Sequence, residues 1–445
     1  MIAAVAPPSS GPTLVWIEPA SAKAAFFREV AQGFPPEWAN LFLTGHAKLE
    51  SRLRRAGLAA HRLADLPAEG PVPSPEQVET ALGALLRATA TDPLAVRRRA
   101  SHWIQRIDPW LEHHRVVAGI VWGGSGLLPS VTAARIRQRG GTVLVLQNGY
   151  FPGTVQVDPE GCNASARAVR ALPEVLVELQ ATRAEEEELD RVLESLRTGR
   201  GRGRPPPPPP LPPPSPSARA AHLCSHFPVQ MRRLRTALRF PNHRIRRERR
   251  PLPDTFVLFP LQVRHDTQLQ LHSPLWGDRL DELVPALARA LAEVAPSLPL
   301  VVKLHPKDES SDYDGLAATH PEVVFVDGIP MPECLRRARA VVTVNSTAGF
   351  EALCHGLPVL MLGENFYGLP GVVEKASSRE DLGPALHRTL TRSPDPERRR
   401  KLLLWTYHRF LVHGHYRDGG EGSVQAVRQA LLDRLRPVLA AAGPA

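Results

Sequence analysis

Short apolar runs alternating with amphipathic stretches predict an α/β protein with parallel, doubly wound sheets. A proline run near the middle predicts two Rossmann-like domains on either side of a spacer, and a length of 445 residues, against roughly 100–200 per domain, agrees. In the first half, strands are predicted at Thr13–Ile17, Val116–Trp122 and Thr142–Gln147, with a helix from Ser130 to Arg139 completing a βαβ unit. Residues 34–110 look helical and carry no usable motif. The acidic run Glu185–Glu188 falls in a solvated helix, 182–196. In the second half, strands are expected at Thr255–Leu261, Leu300–Leu304, Val323–Val326, Ala340–Val344 and Pro358–Leu362. Helices over 277–294, Pro332–Arg339, 348–355 and 379–391 alternate with them, and a closing helix lies near 396–412.

The expected organisation is an acceptor-side domain at 1–196, a Gly/Arg/Pro-rich linker at 197–222, a basic amphipathic segment at 223–253, a donor domain at 254–395, and closing helices at 396–445. Nine of the ten residues 205–214 are proline, so the linker is expected to be disordered and to tolerate deletion of 203–216. The formal net charge of +10 is local: residues 197–250 hold 14 arginines and one acid, a net +13 that leaves −3 for the rest. That distribution disfavours a nucleic-acid-binding surface. Within 229–240, Met231, Leu234 and Leu238 share one helical face with arginines on the others, a pattern suited either to an anionic leaflet or to a solvated linker helix. Four scattered cysteines form no CxxC pair, and no apolar run approaches a membrane span. The expectation is a cytoplasmic protein, peripheral at the inner face of the membrane.

Ligands of doubly wound folds bind beyond the carboxyl ends of the strands. One strand ends in Lys303-Leu-His305-Pro306, whose cations can hold a phosphate, although a lone histidine is more often structural. The next ends in Asn345-Ser346-Thr347-Ala348-Gly349-Phe350-Glu351, where small residues and helix amides suit an anion. Glu351 can accept from ribose hydroxyls or close a capping box. A third strand end carries Gly363-Glu-Asn-Phe-Tyr367-Gly368. Three such ends together read as a nucleotide site. Gly123-Gly-Ser-Gly126 follows a first-half strand and reads as a cleft-lining loop or a tight turn.

This combination resembles the donor half of the bacterial capsule polysaccharide Kdo transferases, a family with the two-domain GT-B fold, whose domains face each other across a cleft. The segment Phe259-Pro-Leu-Gln262-Val-Arg-His-Asp266-Thr-Gln268 resembles the opening of the family's second domain. Asn148-Gly149 through Asp158-Pro-Glu-Gly161-Cys-Asn163 resembles its first-domain catalytic loop. The resemblance implies transfer of 3-deoxy-octulosonate (Kdo) from a CMP-activated donor to a lipid-linked glycan, beside capsule assembly machinery. It implies Asp158 as catalytic carboxylate and His305 as the group stabilising the leaving phosphate. Lys303, Asn345, Ser346, Thr347, Glu351, Gln262, Asp266, Gln268 and Tyr367 would bind donor. Gln147, Asn148, Gly149 and Asn163 would line the acceptor side. No cofactor is implied and, with no acidic metal-binding pair visible, no metal is required. From sequence alone, a turn residue in Asp-Pro-Glu-Gly is the better reading of Asp158. Many relatives place Glu where this chain has Gln147, which favours a slow enzyme or a non-catalytic assembly factor. Another donor, CDP-glycerol or a UDP-sugar, also fits the residues.

Overall fold

The computed structural model describes residues 11–19, 21–83, 85, 92–124, 126–199, 207–221, 251–263, 266–306 and 313–441. The basic stretch 229–250 lies outside them. The chain divides into two compact units. Each is a sheet with helices on both faces.

The first unit contains β1 (Thr13–Ile17), β2 (Ala39–Thr44), β3 (Ala59–Arg62), β4 (Val116–Trp122), β5 (Thr142–Asn148) and β6 (Thr154–Asp158). Its sheet order is Leu411–His413, β6, β5, β4, β1, β2, β3, with β1 to β5 parallel and the other two strands antiparallel. Every residue of β1 is buried: Leu14 and Trp16 join one core, Val15 and Ile17 the other. That is the signature of a parallel strand covered on both faces. Two of these strands fall in 34–110, the stretch expected to be helical. Ala59–Arg62 has no β-branched or aromatic residue and becomes a strand only by pairing with β2.

In the second unit, β7 (Phe256–Pro260), β8 (Leu300–Lys303), β9 (Val324–Val326), β10 (Ala338–Thr343), β11 (Val359–Met361) and β12 (Glu374–Lys375) form a wholly parallel sheet of order β12-β11-β10-β7-β8-β9. In both units the strand order reverses between the first and fourth strands, the doubly wound arrangement that opens a crevice at the strands' carboxyl ends. Two Rossmann-like domains are therefore present.

Their boundaries differ from the expected ones. Helices Leu172–Glu178 and Arg183–Thr198 belong to the second unit. The acidic face is not merely solvated: Arg400 pairs with Glu186 and Asp190, and Arg409 with Glu185 at 2.5 Å. Conversely, the chain from Leu411 onward returns to the first unit. Strand Leu411–His413 pairs with β6, and helix Glu421–Ala441 buries Val427, Leu431 and Leu435 in the first core.

The described part of the proline segment is packed, not disordered. Leu211 is buried in the first core. Arg52 donates to the carbonyls of Leu211 (2.9 Å) and Pro212 (3.0 Å), Arg28 to that of Pro209 (3.2 Å), and Ser215 N–H to Ser51 Oγ (2.9 Å). Proline lacks a donor but keeps its carbonyl, so a polyproline strand can be held entirely by partners that donate. Among the described residues no helix is long and apolar enough to cross a membrane.

Candidate functional site

In the second unit a cleft of about 450 Å³ opens beyond the strand ends. The end of β8 supplies Lys303 and His305, and the N-terminal half of helix Thr347–Cys354 with its cap supplies Ser346, Thr347 and Glu351. Five sequence-predicted residues thus meet in one cavity. Ser346 is the N-cap, its Oγ accepting from Ala348 N–H at 3.2 Å, so the positive end of the helix lines the cleft. Neither Lys303 nor Glu351 makes a side-chain hydrogen bond or ion pair among the described residues. Burial pushes the Glu351 carboxyl up to about 7, and the nearby Lys303 ammonium only partly opposes it. Lys303 and the helix N-terminus give the cleft donors suited to an anion, with the Glu351 carboxyl beside them.

The other donor-side residues stand behind this cleft. Gln262 and Asn345 bridge the switch point between β7 and β10: Gln262 Nε2 donates to Asn345 Oδ1 (2.9 Å), and Asn345 N–H donates to Gln262 Oε1 (3.3 Å). Asn345 Nδ2 donates to the carbonyls of Gln268 (2.8 Å) and His272 (3.1 Å). Asp266 caps helix Thr267–His272 by accepting from Gln268 N–H at 2.9 Å. The third strand end is also scaffold, correcting its expected place against the nucleotide. Tyr367, fully buried, donates its hydroxyl to the Ser346 carbonyl, and Asn365 Nδ2 donates to that of Asn345 at 2.8 Å. Gly349 is required here, because a Cβ would sit 2.5 Å from the Tyr367 hydroxyl. In place of that loop, the turn Asp327–Met331 after β9 lines the cleft and offers Ile329, Pro330 and Met331 as an apolar wall. Sequence reading missed it, although Asp327-Gly328 directly after an apolar strand is a strand-end signal of the kind used elsewhere.

On the first unit the structure corrects the catalytic loop. Residues 154–158 are not a loop but β6, antiparallel to β5, and Asp158 pairs with Val145. Asp158 therefore lies about 10 Å short of the carboxyl edge at Asn148, at 3.3–3.4 Å per residue. It is buried, and its Oδ1 accepts from the backbone N–H groups of Glu160 (2.8 Å), Gly161 (3.1 Å) and Arg167 (2.9 Å). This is the turn-residue placement. Asn163 is buried at φ 56°, its Oδ1 accepting from the Tyr150 hydroxyl (2.7 Å) and Gln156 Nε2 (3.0 Å), a structural network and not an acceptor surface. Gln147 and Asn148 do reach the carboxyl edge. Gln147 Oε1 accepts from Asn148 N–H at 2.9 Å, and Asn148 Oδ1 meets His415 Nε2 at 3.1 Å. Gly149 packs where a Cβ would overlap Thr154 Oγ1. Gly123 and Gly124 take φ of 73° and 70°, so that stretch is the tight turn.

Two doubly wound units, one with a cleft lined by Lys303, His305 and a helix N-terminus beyond its strand ends, define a protein with two Rossmann-like domains. Residues 229–403 match the family model described as capsule polysaccharide biosynthesis protein. The chain is 30% identical over 305 residues to protein FixF of Sinorhizobium fredii, an alignment covering 67% of this chain and 61% of FixF. It is 32% identical over 135 residues to capsule polysaccharide modification protein LipB of Neisseria meningitidis, covering 28% of this chain and 32% of LipB. Among solved structures, the β-Kdo 2,4 transferase of Thermosulfurimonas dismutans KpsC superposes with a TM-score of 0.45 at 18% identity, over 72% of this chain and 88% of that one. The chain thus spans about three fifths of FixF and a third of LipB. The match to the capsule polysaccharide biosynthesis family thus falls on the stretch that holds most of the second unit.

Proposed function

We propose that this protein is a glycosyltransferase of surface polysaccharide synthesis, moving Kdo from CMP-Kdo to a lipid-linked glycan at the inner face of the cytoplasmic membrane. The observation that carries the reading is the convergence of Lys303, His305, Ser346, Thr347 and Glu351 in one cleft at the strand ends of a doubly wound unit. A CMP-sugar presents one phosphate, which Lys303, His305 and the helix end would hold and, as the glycosidic bond breaks, stabilise as leaving group. Ile329, Pro330 and Met331 would pack the nucleoside. Capsule roles carried in the names of LipB and of the Escherichia coli capsule polysaccharide export protein KpsS support the pathway. Metal-free chemistry and the membrane-facing role of 229–250 are parts of the same proposal.

Calorimetry with CMP, CDP, UMP and UDP tests it. CMP is expected to bind best, and His305→Ala and Lys303→Met each to weaken it by about 1–3 kcal/mol, the scale of a hydrogen bond to a charged group. Preference for UDP or CDP would move the donor to a UDP-sugar or CDP-glycerol; unchanged CMP affinity in both variants would remove the site. Affinity for CMP should also depend on pH through Glu351. A bound phosphate favours the protonated carboxyl, so binding takes up protons, and affinity falls by up to about tenfold per pH unit above 7. Comparing wild type with Glu351→Gln cancels the ligand's own titration, and the variant should lose this slope. A second reading, a nucleotide-binding assembly factor without turnover, is favoured by the buried turn position of Asp158. It predicts CMP binding with no release of CMP from CMP-Kdo.

A further inference from the structure

Helix Thr347–Cys354 joins two different surroundings within the second unit. Its amino end lines the cleft of Lys303, and the carbonyl of its last residue, Cys354, accepts from Arg197 Nη2 at 3.2 Å. A cation is favourable beside a helix carboxyl end, so Arg197 has a structural role there. Arg399 has none of that kind. Its Nε is buried without a partner, and its guanidinium makes no hydrogen bond or ion pair among the described residues. It lies against Gly356, where a Cβ would sit 2.6 Å from Nη1, in a left-handed turn at φ 79° that itself favours glycine.

The guanidinium lines a cavity of about 250 Å³ at the amino ends of β10 and β11, walled also by Arg339, Gly356, Pro358 and Ser393. Arg339 gives one N–H to the Leu390 carbonyl at 3.3 Å, and its other donors have no partner among the described residues. None of the lining residues is acidic; neighbouring Asp395 caps its own helix, accepting from Arg398 N–H at 3.0 Å. The positive field extends beyond the lining. Burial first, and then Arg197 and Arg336, hold the His355 imidazole below the usual histidine range, and burial with Arg197 pushes the Arg399 guanidinium down. A half-buried guanidinium without an acceptor is costly, and its planar N–H fork suits the oxygens of a phosphate. The cavity is smaller than the roughly 300–1,000 Å³ that encloses a whole small molecule, so it takes a phosphoryl group and leaves the rest of a ligand outside.

We propose that Arg339, Ser393 and Arg399 form a second anion site on this unit, for a phosphate group, at the opposite edge of the sheet from the Lys303 cleft. Along β10 the two are about 20 Å apart, at roughly 3.3 Å per residue from Arg339 to Asn345. The site does not depend on the glycosyltransferase reading. Two sources share its chemistry, the phosphate of a lipid headgroup and a soluble phosphate.

The test uses the full chain carrying Lys303→Met, which weakens phosphate binding at the other cleft, with inorganic phosphate titrated at constant ionic strength against chloride. Phosphate is expected to raise the melting temperature. Arg399→Gln in the same background should weaken the apparent affinity roughly tenfold or more, the loss of a hydrogen bond to a charged group. Arg339→Gln, at an exposed position, is a second variant and should weaken it as well. Without phosphate, Arg399→Gln should melt no earlier than its parent, because it removes an uncompensated charge. A merely structural arginine gives instead an early-melting variant with an unchanged response to phosphate. That result, a phosphate response no larger than that of chloride, or one that survives both substitutions overturns the site. Phosphatidylcholine vesicles with and without phosphatidic acid separate the sources. Co-sedimentation that requires phosphatidic acid and falls in Arg399→Gln assigns a lipid headgroup; co-sedimentation unchanged by Arg399→Gln, beside a lost phosphate response, assigns a soluble phosphate.

Discussion

Replacing Asp158 with alanine is expected to lower the stability of the first unit by about 3–5 kcal/mol. One carboxylate oxygen accepts three backbone amides, those of Glu160, Gly161 and Arg167, and the Gly161 bond is fully buried. Alanine leaves these donors unpaired, and a buried unsatisfied amide costs about 1–3 kcal/mol while partly exposed ones cost less. Asp158→Asn keeps an acceptor in place and should lose only about 1–2 kcal/mol. Thermal or urea denaturation of the two variants separates this structural role from a catalytic one. A catalytic Asp158 would give Asn a wild-type melting temperature and no transfer; the turn role gives Asn transfer near wild type and Ala a protein that melts early.

The second large effect concerns the proline segment. Deletion of residues 207–215 is expected to lower the melting temperature of the first unit by roughly 10 °C. Loss of a buried leucine such as Leu211 costs about 2–5 kcal/mol, and each kcal/mol shifts a unit of this size by about 2–4 °C. Arg52, which donates to two carbonyls of the segment, would be left facing an emptied groove. The single substitution Leu211→Ala should reproduce about half of the shift. Differential scanning calorimetry reads both, and a deletion that melts with wild type would show that the groove closes without its occupant.

Much of the fold was legible because parallel strands buried on both faces announce themselves as unbroken apolar runs: Val301, Val302 and Val341–Val344 leave little choice. Strands defined by pairing alone were not, as Ala59–Arg62 shows. The cleft residues were legible for a local reason: each follows a strand directly, so position along the chain is position at the sheet edge. Lys303, Ser346 and Glu351 obey that rule. Asp158 does not, because the direction of β6 decides which edge it reaches, and a hairpin after Gly149 reverses that direction. The proline run misled because composition reports the missing donors and is silent about arginines 159 to 181 residues away that supply them.

The return of the chain to its first unit sets an order of events during synthesis. Residues 411–441 are made after the strands of the second unit, yet helix Glu421–Ala441 fills the space beside helix Ser21–Gln32, with Arg428 donating to the carbonyls of Glu29 (2.7 Å) and Val30 (3.1 Å). The second unit, made of one nearly continuous stretch, has all its strands before that helix exists. The first unit is therefore closed only after the second has been made, and its apolar groove waits, open, while those intervening residues are synthesised.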